Sequence, residues 1–294
     1  MAAEATIYRS AAGEAEILSL YDWFLSRLDI PYESRTLETR FGTTHLLVAG
    51  SEGAQPLMVF HGGNVVNPLT LKWFEPLARE FRIYAPDTIG HPGRSAQRRV
   101  SPRDSSYGEW VVDLLDGLGL ERVPSVGPSY GAGIILRTAA YAPERVSRAV
   151  LLIPSGIANG SLWGMVSEML VPMLLYRLTG RGSLLVRAVR PMFTEEPEDD
   201  VVELCGAVFR NVKLERQMPK DTSREELEEF LAPTLLLAAE NDIFFPARRV
   251  IPQAREVIPN LVAAETLPGS GHFPSREGLK FINRCILEFL QDRR

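Results

Sequence analysis

Apolar residues recur along this chain in two alternating rhythms. Runs that are apolar at successive or alternate positions lie at residues 32–38, 43–48, 56–60, 82–86, 122–126, 148–153, 234–239 and 262–267, and read as strands. Between most of them apolar residues fall three and four apart, as at 14–28 and 132–142, the spacing that puts one face of a helix against a core. Phe41 and Gly42 mark a turn between the first two strands, and Pro143 closes the helix at 132–142. Strands alternating with helices predict an α/β fold: a mostly parallel central sheet flanked by helices on both faces. The sequence carries no internal repeat.

One stretch breaks the rhythm. Residues 155–229 are too many for a single crossover helix, and their first part, 162–193, is rich in Leu, Met, Val and Trp with scattered arginines. This composition predicts an inserted helical cap, so that residues 1–154 and 232–294 form the core and residues 155–231 the cap. Trp163, Met165, Met169, Met173 and Phe193 are candidates to line a pocket beneath it, although packing inside the cap is the simpler role for any one of them. The acidic stretch at 194–200 reads as a solvated helix start.

Composition narrows the function classes. With 294 residues, 45% hydrophobic and 23% charged, the chain can bury a sizeable core. Its net charge of -5 offers no basic footprint for nucleic acid or an anionic membrane. The two cysteines, Cys205 and Cys285, suggest neither a disulfide framework nor a metal site. The first ten residues lack a basic segment leading into an apolar one, and no uncharged apolar run reaches about 18 residues. The expectation is a cytoplasmic protein with no stable membrane insertion and no nucleic-acid partner.

The strand-like run at 122–126 leads directly into Gly127-Pro128-Ser129-Tyr130-Gly131, and the helix follows. Gly-x-Ser-x-Gly between a strand and a helix permits a sharp turn that lifts the serine hydroxyl above the sheet. The rival use of such a turn, dinucleotide binding, fails because Leu136 stands where a third small residue belongs. A serine hydroxyl needs a base to take its proton and an acid to orient that base. Of four histidines, only His272 follows a plausible acid in the order Ser, Asp, His, and it lies in a glycine-rich loop after the last strand. Asp242, in the polar loop after the run at 234–239, is the acid; Glu240 competes for that role from the strand end. Backbone amides of Tyr130 and Gly63 are the candidates for an oxyanion hole, with Asn64 next, because the glycines of His61-Gly62-Gly63 let backbone approach a substrate closely. His61 itself reads as a packing residue of that loop. Asn64, Trp163, Phe193, Phe244 and Phe245 complete the candidate pocket.

These residues resemble the α/β-hydrolase superfamily, in particular its small, capped serine carboxylesterases. The matching stretches beside the elbow are His61-Gly62-Gly63, residues 85–95 (APDTIGHPGRS), residues 240–246 (ENDIFFP) and Gly271-His272-Phe273-Pro274, and they span nearly the whole chain. The resemblance implies a triad of Ser129, Asp242 and His272, acting on a small-molecule ester of apolar character through an acyl-enzyme, with no metal and no organic cofactor. Dehalogenases and epoxide hydrolases of this family carry aspartate at the elbow where this chain has Ser129. Carbon–carbon bond hydrolases, acyltransferases and cofactor-free haloperoxidases keep the serine, and some relatives with an intact triad act as small-molecule receptors with slow turnover, so these stand as alternatives.

Overall fold

The computed structural model describes residues 6–160 and 166–292. Among the described residues, eight strands form one sheet: β1 Tyr32–Thr39, β2 Gly42–Ala49, β3 Gln55–Val59, β4 Phe81–Pro86, β5 Val123–Pro128, β6 Val146–Leu152, β7 Thr234–Ala239 and β8 Leu261–Leu267. Their spatial order is β1-β2-β4-β3-β5-β6-β7-β8. β1 pairs antiparallel with β2 and β2 antiparallel with β4, and every later pairing is parallel. From β3 onward, therefore, every strand ends on the same edge of the sheet. β6 and β7 run Val-, Leu- and Ala-rich because helices cover both of their faces.

The helices sort by face. α1 Ala11–Ser26, α2 Asn67–Phe74 and the C-terminal helix Arg276–Gln291 close over one side, burying Ile17, Tyr21, Phe24, Leu71, Phe74, Ile282 and Ile286 against Val59, Ile83, Val126 and Leu237. α3 Ser106–Leu118, α4 Tyr130–Tyr141 and a later helix, Ala247–Val257, close the other, with Trp110, Leu114, Ile135, Val250 and Ala254 against Met58, Leu151 and Leu236. Each buried side chain of this size is worth about 1.5 to 3 kcal/mol, so the two apolar layers dominate the stability of the sheet.

Element limits follow local chemistry. The first helix starts at Ala11, earlier than the spacing at 14–28 suggests, because Ser10 caps it: the Gly13 N–H donates to Ser10 Oγ at 3.0 Å. It also stops at Ser26, before Leu28. β5 runs on through Pro128, two residues past its expected end, since Gly127 and Pro128 still pair with Leu151 and Leu152 of β6.

Between β6 and β7 lie α5 Val171–Thr179, α6 Gly182–Val189 and α7 Asp199–Asn211; the C-terminal pair above then become α8 Ala247–Val257 and α9 Arg276–Gln291. α5 and α6 share a small apolar cluster of Tyr176, Leu185 and Val189, with Met173 and Phe193 at its edge. α5 leaves Leu170, Leu174, Leu175 and Leu178 beside and along it exposed. α7 behaves differently: Val201, Leu204, Ala207 and Val208 join the core beneath α1. Tyr8 forms an antiparallel bridge with Val212, and Arg210 and Asn211 both hydrogen-bond Glu16. Among the described residues no helix is long and apolar enough to cross a membrane.

Candidate active site

Ser129 sits where β5 turns into α4, with φ 52° and ψ -117°, a left-handed backbone that a serine adopts only when its surroundings impose it. They do so from every side. The Ser129 N–H donates to the Leu152 carbonyl at 2.9 Å. Its own carbonyl accepts from the Ser155 hydroxyl at 3.0 Å and from the Ser155 N–H at 3.2 Å. The flanking glycines are required by space: a Cβ on Gly127 would stand 2.5 Å from the Gly131 carbonyl carbon, and one on Gly131 would stand 2.8 Å from the Phe60 carbonyl oxygen. The elbow thus brings α4 tight against both β5 and the loop after β3. Ser129 is 8% exposed.

β7 and β8 are neighbours, so the loops leaving them emerge side by side. Across them His272 Nδ1 lies 2.8 Å from Asp242 Oδ2. A carboxylate oxygen accepts, so the imidazole donates from Nδ1 and turns Nε2 away from the acid. The other Asp242 oxygen accepts the Phe244 N–H at 2.7 Å, which fixes the carboxylate's rotation. Asp242 is 3% exposed and His272 9% exposed. Phe244 meets the imidazole edge-on at 4.9 Å between ring centres, and Phe245 lies at 5.9 Å, so apolar rings flank the base. Ser129, Asp242 and His272 all lie past the C-terminal ends of parallel strands, on one edge of the sheet. The Ser129 hydroxyl makes no hydrogen bond to the imidazole.

Opposite the elbow, Gly63 lies against Tyr130: a Cβ on Gly63 would come within 3.1 Å of the Tyr130 ring. The two amides expected to hold an oxyanion therefore belong to residues in contact. The Tyr130 N–H is also the first of α4, where helical geometry leaves amides without internal partners. Asn64 has another task. Its side chain donates to the Glu215 carbonyl and accepts the Glu215 N–H, at 3.0 and 2.8 Å, tying the loop to the segment between α7 and β7. Its own N–H points to His91 Nδ1 at 3.3 Å. Phe193 stacks on Phe273 at 4.4 Å and borders an outer cavity of about 720 Å³ lined also by Trp73 and Leu279. Trp163 and Met165 lie outside the described residues.

Two further histidines hold the loops. His61 Nε2 accepts the Thr88 N–H at 2.8 Å and its Nδ1 donates to the Gly62 carbonyl, as a packing role requires. His91 lies against the Tyr130 ring, 4.6 Å between centres. Burial lowers the pKa of both, that of His91 well below the ordinary range with help from neighbouring His61 and Arg99, so both stay neutral. Sequence reasoning missed Ser155 and a buried knot around Asp87, which accepts from Tyr21, Asn67 and the Arg94 N–H and contacts His45 Nδ1 at 3.2 Å. The knot fixes the turn after β4; its only advance signal was the Asp-x-x-Gly-x-x-Gly-Arg-Ser stretch at 87–95. No group of three His, Cys, Asp or Glu side chains among the described residues is arranged to hold a metal ion.

A family model described as alpha/beta hydrolase fold matches residues 55–181. The crystal structure of naproxen esterase (carboxylesterase NP) from Bacillus subtilis superposes with a TM-score of 0.80, covering 96% of this chain and 100% of that one at 22% identity. The chain has the α/β-hydrolase fold. Among curated relatives, the carboxylesterase YbfK of Bacillus subtilis (strain 168) is 27% identical over 281 residues, 92% of each chain. Haloalkane dehalogenase 2 of Mycobacterium tuberculosis (strain ATCC 25618 / H37Rv) is 24% identical over 282 residues, 88% of this chain and 95% of that protein.

Proposed function

We propose that this α/β-hydrolase is a serine carboxylesterase. The observation that carries the reading is the strained Ser129 at the C-terminal edge of the sheet, on the same edge as a buried Asp242–His272 pair joined through Nδ1. Likeness to curated carboxylesterases over 92% of the chain supports ester hydrolysis as its chemistry. Serine, not aspartate, at position 129 separates it from the dehalogenases it also resembles.

His272 Nε2 takes the Ser129 proton as Oγ attacks the ester carbonyl carbon. The carbonyl oxygen becomes an oxyanion, which accepts hydrogen bonds from the Gly63 and Tyr130 amides in this reading. As the C–O bond to the alcohol breaks, His272 protonates the departing oxygen. Water then gives a proton to His272 and attacks the acyl-enzyme; Ser129 recovers its proton and the carboxylic acid leaves. Asp242 keeps the imidazole in the required tautomer and stabilises its charged form. Phe244 and Phe245 beside the base favour apolar esters. In this reading residues 155–231 form the cap, with the apolar cluster of α5 and α6 as its own core.

Hydrolysis of p-nitrophenyl esters from acetate to decanoate tests the proposal. Wild-type protein should turn over at least one of them, and Ser129→Ala should lose that turnover by about 10³-fold or more. Equal rates in the two proteins would overturn it.

A further inference from the structure

The loop that carries His272 is held from two directions. On one side stands the acid loop: the Asn241 N–H donates to the Ser270 carbonyl at 2.9 Å, and the Gly269 N–H donates to Glu240 Oε2 at 2.8 Å. On the other stands a strap of the insertion, residues 192–194, which follows α6 and precedes α7. Phe193 forms a parallel β-bridge with Phe273, and their rings stack. The Phe273 N–H donates to the Met192 carbonyl at 2.8 Å, and the Thr194 N–H donates to the Phe273 carbonyl at 3.1 Å.

Thr194 does more than extend this bridge. Its hydroxyl accepts the Gly271 N–H at 2.9 Å and donates to the Phe273 carbonyl at 2.8 Å. Gly271 and Phe273 are the two residues on either side of His272, so one hydroxyl grips the backbone both before and after the base. The approach is close enough to demand glycine at 271, where a Cβ would stand 2.9 Å from the Met192 carbonyl oxygen and 3.3 Å from the Thr194 nitrogen. Neither Asp242 nor the flanking phenylalanines restrain the backbone of His272 at these two points.

We propose that Thr194 is a positioning residue for His272: its hydroxyl holds the Gly271 N–H on one side of the base and the Phe273 carbonyl on the other, and so couples the seating of the insertion to the alignment of Nε2 with Ser129. The inference rests on the serine-esterase reading given above. Its physical basis is the steep dependence of proton transfer on geometry, in which a displacement of about 1 Å costs on the order of 10²-fold in rate. A group that only shaped the pocket would act on binding; a group that only held the fold would act on stability.

Thr194→Val keeps the shape and removes the hydroxyl, whereas Thr194→Ser keeps the hydroxyl and removes the methyl. On the best p-nitrophenyl ester, the valine variant should lose about 10- to 100-fold in kcat with KM within about twofold of wild type. Its rate of inactivation by a serine-directed organophosphate should fall in parallel, and the serine variant should recover both within about threefold. Wild-type kcat in the valine variant overturns the inference, as does a change confined to KM or a serine variant as slow as the valine one. Should the valine variant fail to fold, Thr194→Ala is measured in the same way, with loss in kcat at unchanged KM expected and wild-type kcat overturning. Ser129→Ala, run alongside, separates the two readings: activity surviving in it sinks the esterase assignment itself, whatever Thr194 does.

Discussion

Asp242 uses both carboxylate oxygens, one on the His272 imidazole at 2.8 Å and one on the Phe244 N–H at 2.7 Å. An asparagine would fit the space, but its amide would offer a donor to one of these two donors. Asp242→Asn should therefore leave the fold intact and lower kcat by about 10³- to 10⁴-fold through the wrong imidazole tautomer, measured on the best ester of the panel. Glu240, two residues earlier, is exposed and accepts the Gly269 N–H. Glu240→Gln keeps an acceptor there and should change kcat by less than about threefold. These two carboxylates were the hardest choice at the level of single residues; the structure sets Asp242 on His272 and Glu240 on the Gly269 N–H. The placement of Ser129, Asp242 and His272 on one edge of the sheet was legible because each lies at a fixed place relative to a strand end. The hydrogen bonds of Asn64 were not, since nothing local reveals that Glu215, 151 positions away, engages both ends of its amide.

At the scale of elements, the elbow is a packing problem as much as a catalytic one. Gly131→Ala would push a methyl group toward the carbonyl oxygens of both Phe60 and His61, at 2.8 and 2.9 Å, where backbone cannot give way cheaply. It should destabilise the protein by about 1 to 3 kcal/mol, read as a lower denaturant midpoint at unchanged slope, and should reduce activity by shifting the loop that carries Gly63. By contrast Gly119, with φ 69° after α3 and open space around it, should cost about 1 kcal/mol on change to alanine through backbone strain alone. The strands of the sheet were readable from their apolar runs, and their limits moved by only a few residues where pairing or a cap extended them. The strap at residues 192–194 was not readable. It makes one isolated bridge, too short for a periodic signal, and its partner lies 80 positions along the chain.

For the whole molecule, what matters is how the segment between α7 and β7 is fastened to the helices beside the sheet. Glu226 receives Arg137 Nη1 at 2.9 Å, Lys220 Nζ at 3.1 Å and the Ser223 N–H at 3.1 Å, and Arg137 is a buried residue of α4, directly behind the elbow. Partial burial pulls the Glu226 pKa up, but the hydrogen bonds from Arg137, Ser223 and Lys220 outweigh it and bring it from 4.5 down to about 2. A carboxyl whose folded pKa is depressed stabilises the fold in full above its unfolded value, and that contribution is lost as pH falls through the folded one. The network should thus contribute up to about 3 kcal/mol above pH 5 and lose it between about pH 4.5 and 2. His61 and His91 act in the same direction at higher pH: buried and neutral, they stabilise the fold above the ordinary histidine range and oppose it as acid protonates the unfolded chain. Denaturant titrations across pH should show stability falling in two stages. Glu226→Gln should lower stability near pH 7 and remove only the lower stage, because glutamine keeps acceptors for Arg137 but has no proton to bind. A variant whose loss is the same at pH 3 as at pH 7 would mean that the carboxylate charge does not fasten this segment, and that its neutral hydrogen bonds and the packing of Leu227 and Phe230 do.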